Sequence, residues 1–282
     1  IILAVTSIFG FFNMRERVPL ASKEELKDVS LLESVKIVVK NRPLFVLLLS
    51  EFFAGFKGTV GGASESFFWL NCTGRLTNGT LSGLFTGLPN YIITPLTPKL
   101  IRRFGARNTA VGAGLFGGVA YFTFFLIGYA PTRNNIINLA WIIFALTICG
   151  LPNCVMNVCT PVLKGDMYDY LEWKSGIRSE GLVNAVSGYF TKLSTSVQGY
   201  LSGVIFDIIN YVPAKDSLGN LVPLTDKNVL LGIFAVFALA PALARFGYGV
   251  SLLLFNVHGD FKVKMLEDLA VRRASKVNGK QV

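Results

Sequence analysis

Gly165-Asp166-Met167-Tyr168-Asp169-Tyr170-Leu171-Glu172-Trp173-Lys174-Ser175-Gly176-Ile177-Arg178-Ser179-Glu180-Gly181 connects two long apolar runs. With four acids and two bases it belongs at a membrane surface, where water or a charged partner can satisfy every group. The apolar run that follows contains Lys192, ten to eleven residues in, or ~16 Å along a helix at ~1.5 Å per residue. That depth approaches the middle of a hydrocarbon layer of ~30 Å. A lysine there is costly, which makes it a candidate functional residue.

Outward from this stretch, the rest of the chain reads as membrane. Apolar residues make up 52% of the 282 and charged residues only 16%, so a soluble pair of domains is excluded. Runs of about 20 apolar residues recur. They predict an all-α, polytopic bundle of six spans at 43–70, 81–98, 109–129, 138–163, 182–209 and 229–256. Residues 1–12 read as the end of a truncated transmembrane helix, 13–42 as a cytoplasmic loop, 43–256 as the six-helix bundle and 257–282 as a cytoplasmic tail.

The net charge of +10 follows topology. Seven Lys and Arg lie in 13–42, four in 98–108, three in 164–181 and six in 257–282, against one, one and two in the other three loops. Twenty against four places the basic loops and the tail in the cytoplasm of a multi-pass cell-membrane protein. No nucleic-acid partner is implied; the lipid bilayer is the partner.

Several motifs dissolve in this setting. Gly112-x-Gly114-x-x-Gly117 lies inside a span, without the strand and helix opening that a dinucleotide fingerprint needs. Cys149, Cys154 and Cys159 are five apart, about 140° net on a helix, and share no face for a metal. Asn71-Cys72-Thr73 and Asn78-Gly79-Thr80 are sequons close to the membrane. His258 stands alone in the tail, and no His, Asp or Ser constellation supports an enzyme. Gly58/Gly62, Gly83/Gly87, Gly114/Gly118 and Gly199/Gly203 are spaced for close helix approach. Five prolines within spans predict bent helices.

The fifth span carries the polar chemistry. Asn184, Ser187, Thr191, Thr195, Gln198 and Ser202 recur every three to four residues and draw a stripe along one helix, with Lys192 at its margin. Hydroxyls alone could bond to their own backbone, but a lysine with Asn and Gln on the same side points to a water-filled cavity. Lys57, with Glu51 and Glu65 on its own helix, is either paired structurally or part of the pathway. Arg245 reads as structural or snorkelling.

Asp166-x-x-Asp169-Tyr170-x-Glu172-x-x-x-Gly176-x-Arg178-x-Glu180-Gly181, with Lys192 eleven residues on, resembles the glycoside-pentoside-hexuronide:cation symporters of the major facilitator superfamily. Asn41-Arg42-Pro43, Pro98-x-Leu100-x-x-Arg103-Phe104-Gly105 and Leu269-x-x-Arg272-Arg273 extend the resemblance along the chain. It implies the C-terminal half of a sugar transporter, working with an N-terminal six-helix half that binds a coupling cation (Na⁺, H⁺ or Li⁺); no other cofactor is implied. By the same resemblance Lys192 faces the central cavity, and Asp166, Asp169, Glu172 and Arg178 form a charge network that closes the cytoplasmic side. Where the family's melibiose-transporting member has a helix-ten tryptophan, this chain has Asn157, implying a different sugar preference. A lysophospholipid carried with Na⁺ on the same fold is the alternative cargo, and a membrane receptor or enzyme a more distant one.

Overall fold

The computed structural model describes residues 41–278 apart from 131, 176–179, 216 and 218–220. The expected helix end at 1–12, nearly all of the loop at 13–42, and Arg178 lie outside the described residues.

Pro43 opens the first helix, α1 (Arg42–Phe56). Its ring fixes φ for a helical turn, and its missing N–H would have had no intrahelical acceptor there. The helix continues through a π turn at Lys57–Gly61 into α2 (Gly62–Thr73). Gly74, at φ +76, stops it in a conformation that costs a glycine little. α3 (Thr77–Phe104) and α4 (Ala106–Ile127) follow, separated by Gly105 at φ +80. Next come α5 (Asn135–Ser175) and α6 (Glu180–Ile208). A two-stranded antiparallel hairpin, β1 (Ala214–Lys215) with β2 (Leu221–Val222), interrupts the otherwise helical chain. Asp226 caps α7 (Lys227–Leu253) by accepting from the Asn228 N–H at 2.9 Å, and α8 (Gly259–Asn278) is last.

Among the described residues, three helices are long and apolar enough to cross a membrane: Ala106–Ile127, Asn135–Lys174 and Lys227–Leu253. The other three expected spans are helical but less uniformly apolar. The first is broken by the π turn and carries Glu51, Lys57 and Glu65. α3 contains Pro89, Pro95 and Pro98 and ends in Arg102 and Arg103. α6 carries the hydroxyl-rich stripe. The acid-rich connection also differs from its expected form, because Asp166 through Lys174 continue α5 as helix.

α7 packs against α4 and α1. A Cβ on Gly114 would stand 2.9 Å from Gly249 Cα, one on Gly118 would meet the Phe246 ring at 2.7 Å, and one on Gly247 would enter the Phe53 ring. Between apolar helices in lipid, such close approach supplies the dispersion contact that water expulsion supplies in soluble proteins. The other three Gly pairs do not pack this way. Cβ atoms on Gly58, Gly62, Gly83, Gly87, Gly199 or Gly203 would meet nothing within 4 Å.

An aromatic core ties α2, α4, α5 and α7 together. The Phe68 and Phe237 rings stack at 4.1 Å, and Phe124 meets Phe234 edge-on at 5.4 Å. Offset and edge contacts of this kind add to simple area burial. Cys149, Cys154 and Cys159 are buried free thiols, and Cys154 donates to Asn90 Oδ1 at 2.8 Å.

Candidate functional site

The stripe on α6 divides between two faces. Ser187, Gln198 and Ser202 are buried. Gln198 Nε2 donates to the Phe52 carbonyl of α1 at 2.9 Å, which makes it a packing residue. Thr191 and Thr195 return their hydroxyls to the carbonyls four residues back, at 2.8 and 2.9 Å. Such bonds satisfy a hydroxyl without any neighbour. Asn184 is exposed and accepts from the Tyr168 hydroxyl of α5 at 2.7 Å. Asn157 is exposed on α5.

Lys192 is exposed on the face of α6 opposite its buried seam of Val183, Ser187, Ser194 and Gln198. Gly188, Ser196, Gly199 and the exposed rings of Tyr189 and Tyr200 share that open side. Gln198 is level with Phe52, so Lys192 lies about 9 Å nearer the Arg42 end, at ~1.5 Å per residue. Lys57, at the π turn, is the lysine midway along its helical rod.

The acids of the opening stretch are gathered by α8. Lys262 Nζ is 2.6 Å from Asp166 Oδ1. Arg273 grips Glu172 with two nitrogens, at 3.0 and 2.5 Å, and reaches Asp169 at 2.9 Å. Two-pronged guanidinium–carboxylate pairs are the more specific kind of ion pair. The bonds to Glu172, then Asp169, hold the Arg273 proton more tightly than usual. Trp173 Nε1 donates to Asp268 at 3.0 Å, Arg272 donates to the Trp173 carbonyl at 2.8 Å, and Phe261 packs on the Tyr170 and Trp173 rings. Lys262, Asp268 and Arg273 were not foreseen from the sequence. The signal was present: acids at 166, 169 and 172 share a helix face, and an amphipathic tail has to lay its apolar side somewhere.

A second polar cluster lies inside the bundle. Arg245 is only 3% exposed, so it does not snorkel. It donates to Asn153 Oδ1 and to Met156 Sδ on α5, while its Nε has no partner among the described residues. Nearby, Tyr248 and Thr160 share a hydroxyl bond at 3.2 Å, and Lys164 pairs with Glu51 at 2.8 Å. Among the described residues no group of His, Cys, Asp and Glu could hold a metal.

The bundle thus has one polar, lysine-bearing open side on α6 and a clasped charge cluster where α5 meets α8. Residues 1–259 match the MFS/sugar transport protein family. The chain belongs to that family. It is 27% identical over 248 residues to the uncharacterized symporter YjmB of Bacillus subtilis, covering 86% of this chain and 50% of the relative. It is 25% identical over 282 residues to the isoprimeverose transporter of Lactiplantibacillus pentosus, covering 97% and 54%. To the glucuronide carrier protein homolog of Escherichia coli it is 25% identical over 248 residues, covering 86% and 50%. These family relatives are a symporter, a transporter and a carrier, and none of the three is an enzyme. It spans about half the length of the curated relatives it matches.

Proposed function

We propose that this chain is the C-terminal six-helix bundle of a sugar:cation symporter that works by alternating access. α1 with α2, then α3, α4, α5, α6 and α7, are its six crossings, with the basic loops and α8 in the cytoplasm. The observation that carries this reading is the open side of α6. Lys192, Thr191, Thr195 and Asn184, with Asn157 on α5, place polar groups where an apolar helix facing lipid would have none. The unpacked glycines on the π turn and on α2, α3 and α6 leave backbone bare for an N-terminal six-helix half to approach. Substrate binds between the two bundles, which rock about it. The coupling cation (Na⁺, H⁺ or Li⁺) binds chiefly in that other half, with Lys192 beside its carboxylates. Asp166, Asp169, Glu172 and Arg178 form the inner gate, and α8 is part of it.

One feature favours the lipid cargo instead. A groove of about 690 Å³ between α3 and α5 is lined by Phe85, Leu88, Ile92, Phe144 and Leu151, and a lysophospholipid tail would fit its chemistry. The named relatives favour sugar. The test is uptake of labelled sugars into proteoliposomes holding this chain with its N-terminal half, under imposed Na⁺ or H⁺ gradients. Concentrative sugar uptake supports the reading; uptake of lysophospholipid alone overturns it. External labelling of a cysteine placed at Ser175 in intact cells would reverse the orientation.

A further inference from the structure

Pro152 has no N–H for the carbonyl of Ile148, four residues back, so α5 loses a main-chain bond there and gains freedom to bend. The ring is seated against α4. A Cβ on Gly117 would lie 3.2 Å from two ring carbons of Pro152 and 3.3 Å from Arg245 Cδ. Proline ring, bare backbone and arginine stem therefore meet at one place inside the bundle.

The guanidinium reaches past the proline. It donates to Asn153 and Met156, in the turn after the ring, and one turn farther on Tyr248 shares its hydroxyl bond with Thr160. Asn153, Met156 and Thr160 are spaced i, i+3 and i+7 on one face of α5, and Arg245 and Tyr248 are i and i+3 on α7. Among the described residues the backbones of α5 and α7 both pack closely on α4 and not on each other, so long side chains span the distance. At 3% exposure Arg245 is enclosed by this bundle alone, and its surroundings stay the same whatever covers the open side. Its acceptors are an amide and a thioether, with no partner for Nε among the described residues. A buried charge satisfied so thinly adds less stability than an apolar chain of the same length.

We infer that Arg245 is a positioning residue for transport: through Asn153 and Met156 it sets the heading of α5 beyond Pro152. This rests on the transporter reading and adds to it a residue remote from the open side. Asn157 directly follows Met156, and Asp166, Asp169 and Glu172 lie farther along the same helix, so one change of heading moves them together. With a soft sulfur acceptor and a spare Nε, the hold guides the bend without freezing it.

The experiment uses the chain with its N-terminal half in proteoliposomes. Arg245→Met removes the buried charge and keeps the length, so the melting temperature should hold or rise. Exchange of the 157–164 amides should quicken about tenfold, the scale of one hydrogen bond to a charged group, and concentrative uptake should fall several-fold. Arg245→Lys keeps the charge but lacks the fork that reaches two acceptors, and should match Arg245→Met in exchange and uptake. Pro152→Ala restores the main-chain bond, and in that background Arg245→Met should quicken exchange no further. Unchanged exchange in Arg245→Met, parental behaviour of Arg245→Lys, or an uptake loss that only tracks a lower melting temperature each overturns the inference and leaves the transporter reading intact. No uptake by the parent overturns that reading, and the role in transport with it, while the exchange arm still decides whether Arg245 holds α5.

Discussion

The Gly112-x-Gly114-x-x-Gly117 string yields a test in which one chemical change takes opposite signs two residues apart. A methyl group on Gly112 meets nothing within 4 Å. Gly112→Ala therefore gains helix propensity, about 0.5–1 kcal/mol, and loses no contact. A methyl on Gly114 would stand 2.9 Å from both N and Cα of Gly249 and 3.0 Å from the Arg245 carbonyl. All three are backbone atoms of α7, so no side-chain rotation relieves the clash and the helices must separate. Overpacking costs about 1–3 kcal/mol, and rigid backbone puts this site in the upper half of that range. At roughly 2–4 °C per kcal/mol for a chain of this size, Gly114→Ala should lower the melting temperature by about 5–10 °C and Gly112→Ala should raise it slightly. At Gly118 the obstacle is the Phe246 ring at 2.7 Å, which can turn, so Gly118→Ala should fall between. Melting is followed in detergent by thermal-shift fluorescence and by recovery of monodisperse protein. Equal losses at Gly112 and Gly114 would refute the assigned α4–α7 seam.

Three further outcomes are expected. Arg273→Ala removes three bonds to Glu172 and Asp169; faster hydrogen exchange across Phe261–Arg273 should follow, with the melting temperature nearly unchanged because exposed ion pairs contribute little. Lys192→Met, in the chain paired with its N-terminal half, should abolish concentrative uptake while membrane abundance holds, read by uptake and immunoblot side by side; unchanged uptake removes Lys192 from the site. His258, its protonated form disfavoured first by burial and then by Arg107, should titrate below the usual histidine value. Because its folded pKa is lowered, any stability it contributes is present above the unfolded value and declines as pH falls through that window. Arg107→Gln should raise the pKa part-way, as NMR titration of the single histidine can follow.

The apolar runs made the helices legible, and the acid cluster marked a surface. What periodicity could not show was where helix outlasts hydrocarbon. α5 continues to Ser175 because Tyr168, Leu171 and Trp173 keep good helical spacing after hydrophobicity has ended. The polar stripe was legible as a spacing on a helix, but its division between a buried and an exposed side, and its partners, were not in the sequence. Ser and Thr can bond to their own turn, and only a contact such as Gln198 to Phe52 separates a packed face from an open one. The π turn also left no mark, since Lys57–Gly61 has the composition of any small-residue helix segment.

The reach of α5 gives the molecule a lever. Its 41 residues extend ~60 Å, about twice the thickness of the hydrocarbon layer. From Pro152, where the ring removes a backbone bond and lets the helix bend, the arm to Ser175 is ~35 Å long. A swing of ~10° at that joint carries the far end ~6 Å at this arm length. α8 is fastened to that far end by Lys262, Asp268 and Arg273, so it travels with α5, although the chain enters it from α7. The five residues from Leu254 to His258 that join α7 to α8 are themselves packed, with Phe255 and Val257 buried, so the joint between those helices is short and held.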